Sequence, residues 1–347
     1  MYTEAVKRKG LIPALIGAGV CLLFSRSSLL ILFFLIPLGF LAFRYGYRVA
    51  WNAVLFAVAG NMLLAMGTAL TRGFAPTGFL WGVFAFTFMV SVFTWVTAPP
   101  PGFSLKFCAT ARLVIGSSLA SLLFIDFFFR AMASPYFLEH VGTVTQAMAA
   151  RQAAAGSDVV RNALFAEMTP EMLIHVIRST VLRGGALVFS ALMFFICRQT
   201  AFLLARLFAR DKPLGANSHE VNSLALFRAH PALIWVLSVS LLLAVLASMA
   251  NLEIPGILLW NILIVCGILY LAQGIGILQF FLAGTAITPF LKLLLCITFI
   301  VLFLSPGINA VLFGGVVLLG IAENWVPFRV PKSNGPSSTP EAGDSGN

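Results

Sequence analysis

Charge is scarce in this sequence: Asp, Glu, Lys and Arg together make up 10% of its 347 residues, and hydrophobic residues make up 60%. Soluble domains carry about a quarter charged residues, and a water-soluble core cannot absorb this much apolar surface. Acids are the rarest class, 12 against 22 Lys and Arg. Motifs of catalysis are lacking as well. No H-E-x-x-H, G-x-S-x-G or phosphate-binding loop occurs, and Gly274-x-Gly276 has no strand before it, so it reads as a helix-packing feature. The four histidines (His140, His175, His219, His230) lie between apolar blocks, where solvated or interfacial His is the ordinary finding. The five cysteines (Cys21, Cys108, Cys197, Cys266, Cys296) have no metal-ligand spacing and sit in apolar sequence, as small buried hydrophobes do. Nothing in this inventory implies an enzyme, a metal or a cofactor.

What is abundant is apolar sequence in long runs. Their length excludes a transmembrane barrel, whose strands alternate, and leaves helices as the only way to satisfy the backbone in lipid. Phe alone contributes 33 residues, spread over nearly every apolar block. Blocks bounded by charge, Pro or Gly fall near 10–24, 29–43, 49–70, 76–97, 112–130, 184–205, 231–250, 254–281, 287–304 and 308–326. The expected fold is an all-α integral membrane protein, a polytopic bundle of about ten transmembrane helices, or eight or nine if some are half-spanning. The first two blocks are short enough to form such a half-spanning pair. Lys7-Arg8-Lys9 ahead of the first block imitates a signal peptide. No A-x-A site follows, and Gly19-Val20 before Cys21 makes a poor lipoprotein site, so an uncleaved first helix is expected.

The net charge of +10 would suggest nucleic acid in a soluble protein, but here the basic residues are distributed between apolar blocks. They act as topology signals instead. With a cytoplasmic N-terminus, only Arg26, Arg72, Arg130, Arg151, Arg161, Arg178 and Arg183 of the 22 Lys and Arg fall outside. Positive-inside bias thus predicts both termini in the cytoplasm. Four regions follow: a transmembrane bundle over 1–130, an outer segment over 131–183, a second transmembrane bundle over 184–330, and a tail over 331–347. In the outer segment Phe137, Val141, Val144 and Met148 repeat at helical spacing, and Thr169-Pro170-Glu171 reads as a helix start with Thr as cap. The tail, rich in Ser, Pro, Gly and Asn, is expected to be disordered.

Three stretches carry a family resemblance. Phe34-Leu35-Ile36-Pro37-Leu38 leading to Arg44-Tyr45-Gly46-Tyr47-Arg48, then Leu226-Phe227-Arg228-Ala229-His230-Pro231, then Tyr270-Leu271-Ala272-Gln273-Gly274-Ile275 with the closing Gly320-Ile321-Ala322-Glu323-Asn324-Trp325, occur in that order. Together they resemble the YybS-like family of uncharacterised bacterial multi-pass membrane proteins. The closing segment departs from an Asp-centred form by having Glu323-Asn324. The N-terminal half of that family is similar in turn to the S components of energy-coupling-factor transporters and to membrane proteins of the cell-shape machinery. An S component normally has six spans, and five blocks fall within residues 1–130. The resemblance implies a non-catalytic subunit of the bacterial cytoplasmic membrane that binds or translocates a small solute. Because no ATP-binding motif is present, ATPase and coupling subunits would be separate chains. The alternative implied is a scaffold or assembly factor that recruits cell-envelope proteins.

Polar residues at membrane depth are the natural candidates for a site, since each is costly in hydrocarbon. Asp126, Asn61, Asn261, Gln273 and Glu323 qualify, with helix-to-helix hydrogen bonding as the ordinary explanation for the amides. Asp126 precedes Arg130 by four residues, so an ion pair on one helix face is expected. A solute site would use Asp126, Asn61 and Arg130 within aromatic walls made partly by Phe127, Phe128 and Phe129. Gly10, Ala14 and Ala18 form a small-residue stripe on the first helix, open either to a partner chain or to the protein's own helices.

Overall fold

The computed structural model describes residues 2–27, 30–72, 76–100, 109–154, 169–208, 227–284 and 308–329, with scattered positions between 285 and 307. The expected block at 287–304, most of the basic loop before Pro231 and the tail from 331 lie outside the described residues. The helices are α1 (Tyr2–Arg26), α2 (Ile36–Tyr45), α3 (Tyr47–Arg72), α4 (Pro76–Thr97), α5 (Ala109–Met132) and α6 (Pro135–Ala154). Then come α7 (Pro170–Thr180), α8 (Ala186–Leu207), α9 (Leu233–Met249), α10 (Glu253–Gly284) and α11 (Ile308–Ala322). A 3-10 turn, Ile31–Phe33, precedes α2, and a π turn, Val181–Gly185, joins α7 to α8. No strand occurs among the described residues.

Among the described residues, five helical stretches are long and apolar enough to cross a membrane: Tyr47–Thr71, Leu80–Thr97, Ala109–Met132, Pro170–Leu207 and Glu253–Leu282. Gly10–Arg26, Ile31–Tyr45, Leu233–Met249 and Ala310–Ala322 are shorter apolar helices. Large apolar side chains such as Leu70, Ile254 and Val311 stand almost fully exposed on them. Hydrocarbon is the solvent that such surfaces require. The chain is therefore a helical membrane protein.

Local chemistry sets several boundaries. Thr169, in extended conformation, accepts a hydrogen bond from the Met172 N–H at 3.2 Å, and Pro170 occupies the first helical position of α7. Gly46 at φ +87 lets the chain reverse between α2 and α3 within one residue. Asn251, at φ +53, ends α9: the Leu252 N–H bonds the Ala247 carbonyl at 2.9 Å and the Asn251 N–H bonds that of Ser248 at 3.3 Å. That is the Schellman arrangement, with Asn where Gly is commoner.

The chain divides into two compact units, Met1–Leu269 and Tyr270–Asn347, with the boundary inside α10. In the first, α1 packs on α3, α3 on α4, α4 on α5, and α2 lies against α1, α3 and α4. Helix α8 then packs on α5 and α2. The block at 184–205, assigned from sequence to the second bundle, thus packs against helices of the first. The cause is a matched face: Gly116 of α5 leaves room for Val96 of α4 and lies within van der Waals reach of Phe194 of α8. One turn along, the Ser190 hydroxyl donates to the Ser117 carbonyl at 2.7 Å. The core of this unit mixes small and aromatic residues, among them Ala14, Cys21, Ala53, Phe93, Ala120 and Phe194.

Candidate functional site

Asp126 lies near the C-terminal end of α5, and Arg130 reaches back over one turn to its carboxylate, Nε to Oδ2 at 2.6 Å and Nη2 to Oδ1 at 3.4 Å. The pair is open, with side-chain exposures of 38% for Asp126 and 58% for Arg130. The guanidinium also sits over the Trp81 ring at the start of α4, 4.9 Å from its centroid. Arg178 of α7 lies 5.3 Å from the centre of the Phe129 ring, which ties α7 to the end of α5. This end of the unit thus presents a carboxylate, two guanidinium groups and aromatic faces together.

Asn61 is elsewhere. It is 5% exposed, in mid-α3, and its Oδ1 accepts from Arg26 Nη2 at 3.0 Å. The structure brings together Asp126 and Arg130 but not Asn61, whose amide oxygen is engaged where α3 packs on α1. Phe127 points outward at 66% exposure, and Phe124 rather than Phe127 turns into the bundle, edge-on to Phe189 of α8 at 4.9 Å. The aromatic walls near Asp126 are Trp81 and Phe129. Along α6, Val141 is buried whereas Val144 is exposed.

The small stripe of α1 faces inward. Ala14 and Ala18 are buried, and a Cβ added at Gly10 would stand 3.3 Å from Val49 of α3. Two glycines unremarked in the sequence complete this interface: Gly17 makes room for Leu41 of α2, and Gly60 of α3 makes room for Leu22 of α1. Small residues here let the protein's own helices approach closely.

Two further polar clusters lie deeper. At the π turn, Arg183 and Gly184 leave helical geometry, Gly184 at φ +120. Asn261 of α10 donates to the Leu182 carbonyl at 2.7 Å, and also to Ile257 O at 2.8 Å. It thereby satisfies a carbonyl at the place where the helix is interrupted. In the second unit Glu323 pairs with Arg329 after the chain turns at the end of α11, and Gln273 of α10 donates to Glu323 at 3.0 Å. Asn324 donates to the Tyr270 hydroxyl at 3.4 Å. Both charged side chains are buried, at 2% for Glu323 and 4% for Arg329. The helices close on this cluster because Gly274 faces Val316 backbone and Gly320 faces Tyr270 backbone.

Cys21, Cys197 and Cys266 are free and buried. Among the described residues no three His, Cys, Asp or Glu gather as a metal site would require. No protein-family model, curated protein or solved structure matches this chain.

Proposed function

We propose that this chain is a non-catalytic subunit that binds a small solute at the Asp126–Arg130 end of its first unit and works with separate ATPase and coupling chains, as S components do. The observation that carries this reading is the packing of α8 on α2 and α5, which adds a sixth helix to the five that the continuous N-terminal sequence supplies, within a unit that also holds α6, α7, α9 and part of α10. Aromatic faces beside a few polar groups are what small-solute sites generally have. A carboxylate and a guanidinium within reach of Trp81 would hold a solute carrying both a donor and an acceptor, each exchanging one intramolecular contact for one to the ligand. In this reading the chain spans a bacterial cytoplasmic membrane about ten times, with both termini inside and residues 131–183 outside. An Ala150→Cys variant should then react with impermeant reagents applied from outside; reaction only from the cytoplasm reverses the orientation.

The functional test is purification from native membranes, with co-purifying small molecules and chains identified by mass spectrometry. A bound solute together with ATPase and coupling subunits is the expected result. Recovery of cell-wall or division proteins with no solute would replace this reading with that of an envelope scaffold.

A further inference from the structure

Three contacts fix the register of α5 against α8. The Phe124 ring stands edge-on to Phe189, the Ser190 hydroxyl donates to the Ser117 carbonyl, and a Cβ added at Gly116 would lie 3.6 Å from the Phe194 ring. Numbers fall on α5 as they rise on α8, so the helices are antiparallel. Arg112 lies four residues before Gly116, and Arg198 four after Phe194. Four residues are one helical turn with about 40° over, so each arginine returns to the face of that contact, about 6 Å further along. Both are buried, at 3% and 6% exposure, so neither turns to lipid. Packed helices lie about 8–10 Å apart, a gap that two long side chains can close from facing walls.

Two guanidinium groups thus share one level inside the first unit. No acid occurs in α2, α3, α4 or α8, and the single acid of α5, Asp126, lies about 21 Å along that helix, where it pairs with Arg130. The end of α4 is close, with Val96 against Gly116, and its terminal carbonyls carry about half a negative charge. Two full positive charges exceed that. Both guanidinium groups have contacts within the chain, and the buried Nε–H of each meets no acceptor among the described residues. An arginine carries about five donors, so bonds to neutral groups neither exhaust it nor cancel its charge. In apolar surroundings such charge calls for a counter-charge.

We propose that Arg112 and Arg198 together bind a phosphate group at the level where α5 faces α8. Planar forks from two walls suit a tetrahedral anion, whose several oxygens accept from both at once. A free phosphate species and a phospholipid head offer this same chemistry, and the two are told apart below. The site lies at the opposite end of α5 from Asp126 and stands independently of the proposed solute.

The test uses the full chain in detergent, with two measurements. Thermal unfolding is followed as inorganic phosphate is titrated against chloride of matched ionic strength, and native mass spectrometry identifies phospholipid retained from the membrane. For a free phosphate species, wild-type protein should show a saturable rise in melting temperature of at least about 3 °C without retained lipid. For a headgroup, it should retain anionic phospholipid, and Arg112→Gln/Arg198→Gln should lose it. Arg112→Lys and Arg198→Lys keep the charge without the fork and should each weaken binding by at least about tenfold, whereas Arg206→Gln, exposed at the end of α8, should bind as wild type does. Wild-type protein with neither a phosphate response nor retained phospholipid overturns the proposal, and that result needs no variant to fold. Binding undiminished in Arg112→Gln/Arg198→Gln overturns it too. So does the absence of both signals together with destabilisation by Asp211→Asn/Glu220→Gln, acids that follow α8 in sequence outside the described residues, since the counter-charge is then the chain's own carboxylate.

Discussion

The same two chemical groups meet at opposite extremes of this molecule. Asp126 and Arg130 pair along one helix in the open, whereas Glu323 and Arg329 pair across a turn of the chain in the interior of the second unit, where Gln273 also donates to the carboxylate. An exposed pair exchanges water for a partner and back at little cost, so it is free to accept a ligand. A buried one is held because its alternative, an unpaired charge in apolar surroundings, is far worse. Identical composition therefore gives a surface available for binding in one place and a fastening for α10 and α11 in the other.

The strongest way to break the comparison is at the buried pair. Glu323→Gln removes the carboxylate opposite Arg329 and should cost about 3–5 kcal/mol, while Glu323→Leu/Arg329→Leu should recover a large part of it. Thermal unfolding in detergent measures both, and equal melting temperatures for wild-type protein and Glu323→Gln would erase the difference between the two pairs. The next largest effect is at the π turn. In Gly184→Ala the new methyl meets Ile264 and the backbone must hold φ +120, so about 1–3 kcal/mol is lost from the backbone strain alone. Asn261→Leu leaves the Leu182 carbonyl without its donor and should cost about 1 kcal/mol, with hydrogen exchange rising around 181–185 before any other region.

The smallest change in stability belongs to the exposed pair, and there the readout is binding. Asp126→Asn and Arg130→Gln should both leave the melting temperature close to wild type. If the carboxylate contacts solute, Asp126→Asn loses the co-purified molecule and Arg130→Gln retains at least part of it. Equal loss in both, accompanied by destabilisation, would return Asp126 to anchoring the end of α5.

Much of the local structure was legible beforehand. The block at 76–97 coincides with α4, and Thr169-Pro170 does cap α7. The pairing of Asp126 with Arg130 follows from four-residue spacing alone. Asn261 and Gln273 make the interhelical bonds that costly amides at membrane depth require. The interruption at Gly184 was not legible, because Val181-Leu182-Arg183-Gly184-Gly185 is compatible with a continuing helix until the neighbouring Ile264 occupies the space of a Cβ. The partner of Asn61 was hidden for a similar reason: thirty-five positions separate it from Arg26, and only the packing of α1 on α3 brings them together.

By itself, then, the sequence determined what belongs to contiguous residues: apolar runs that must become helices in lipid, caps and reversals, and ion pairs one turn apart. The tertiary structure alone decided that α8 packs on α2 and α5, that the small face of α1 is spent on α2 and α3, and that Asn61 and Asp126 serve different contacts. The reason is physical. In hydrocarbon a lipid tail and a neighbouring helix are equally apolar, so hydrophobicity cannot say which face meets protein; small residues, shape and a few hydrogen bonds make that choice only once the helices are packed.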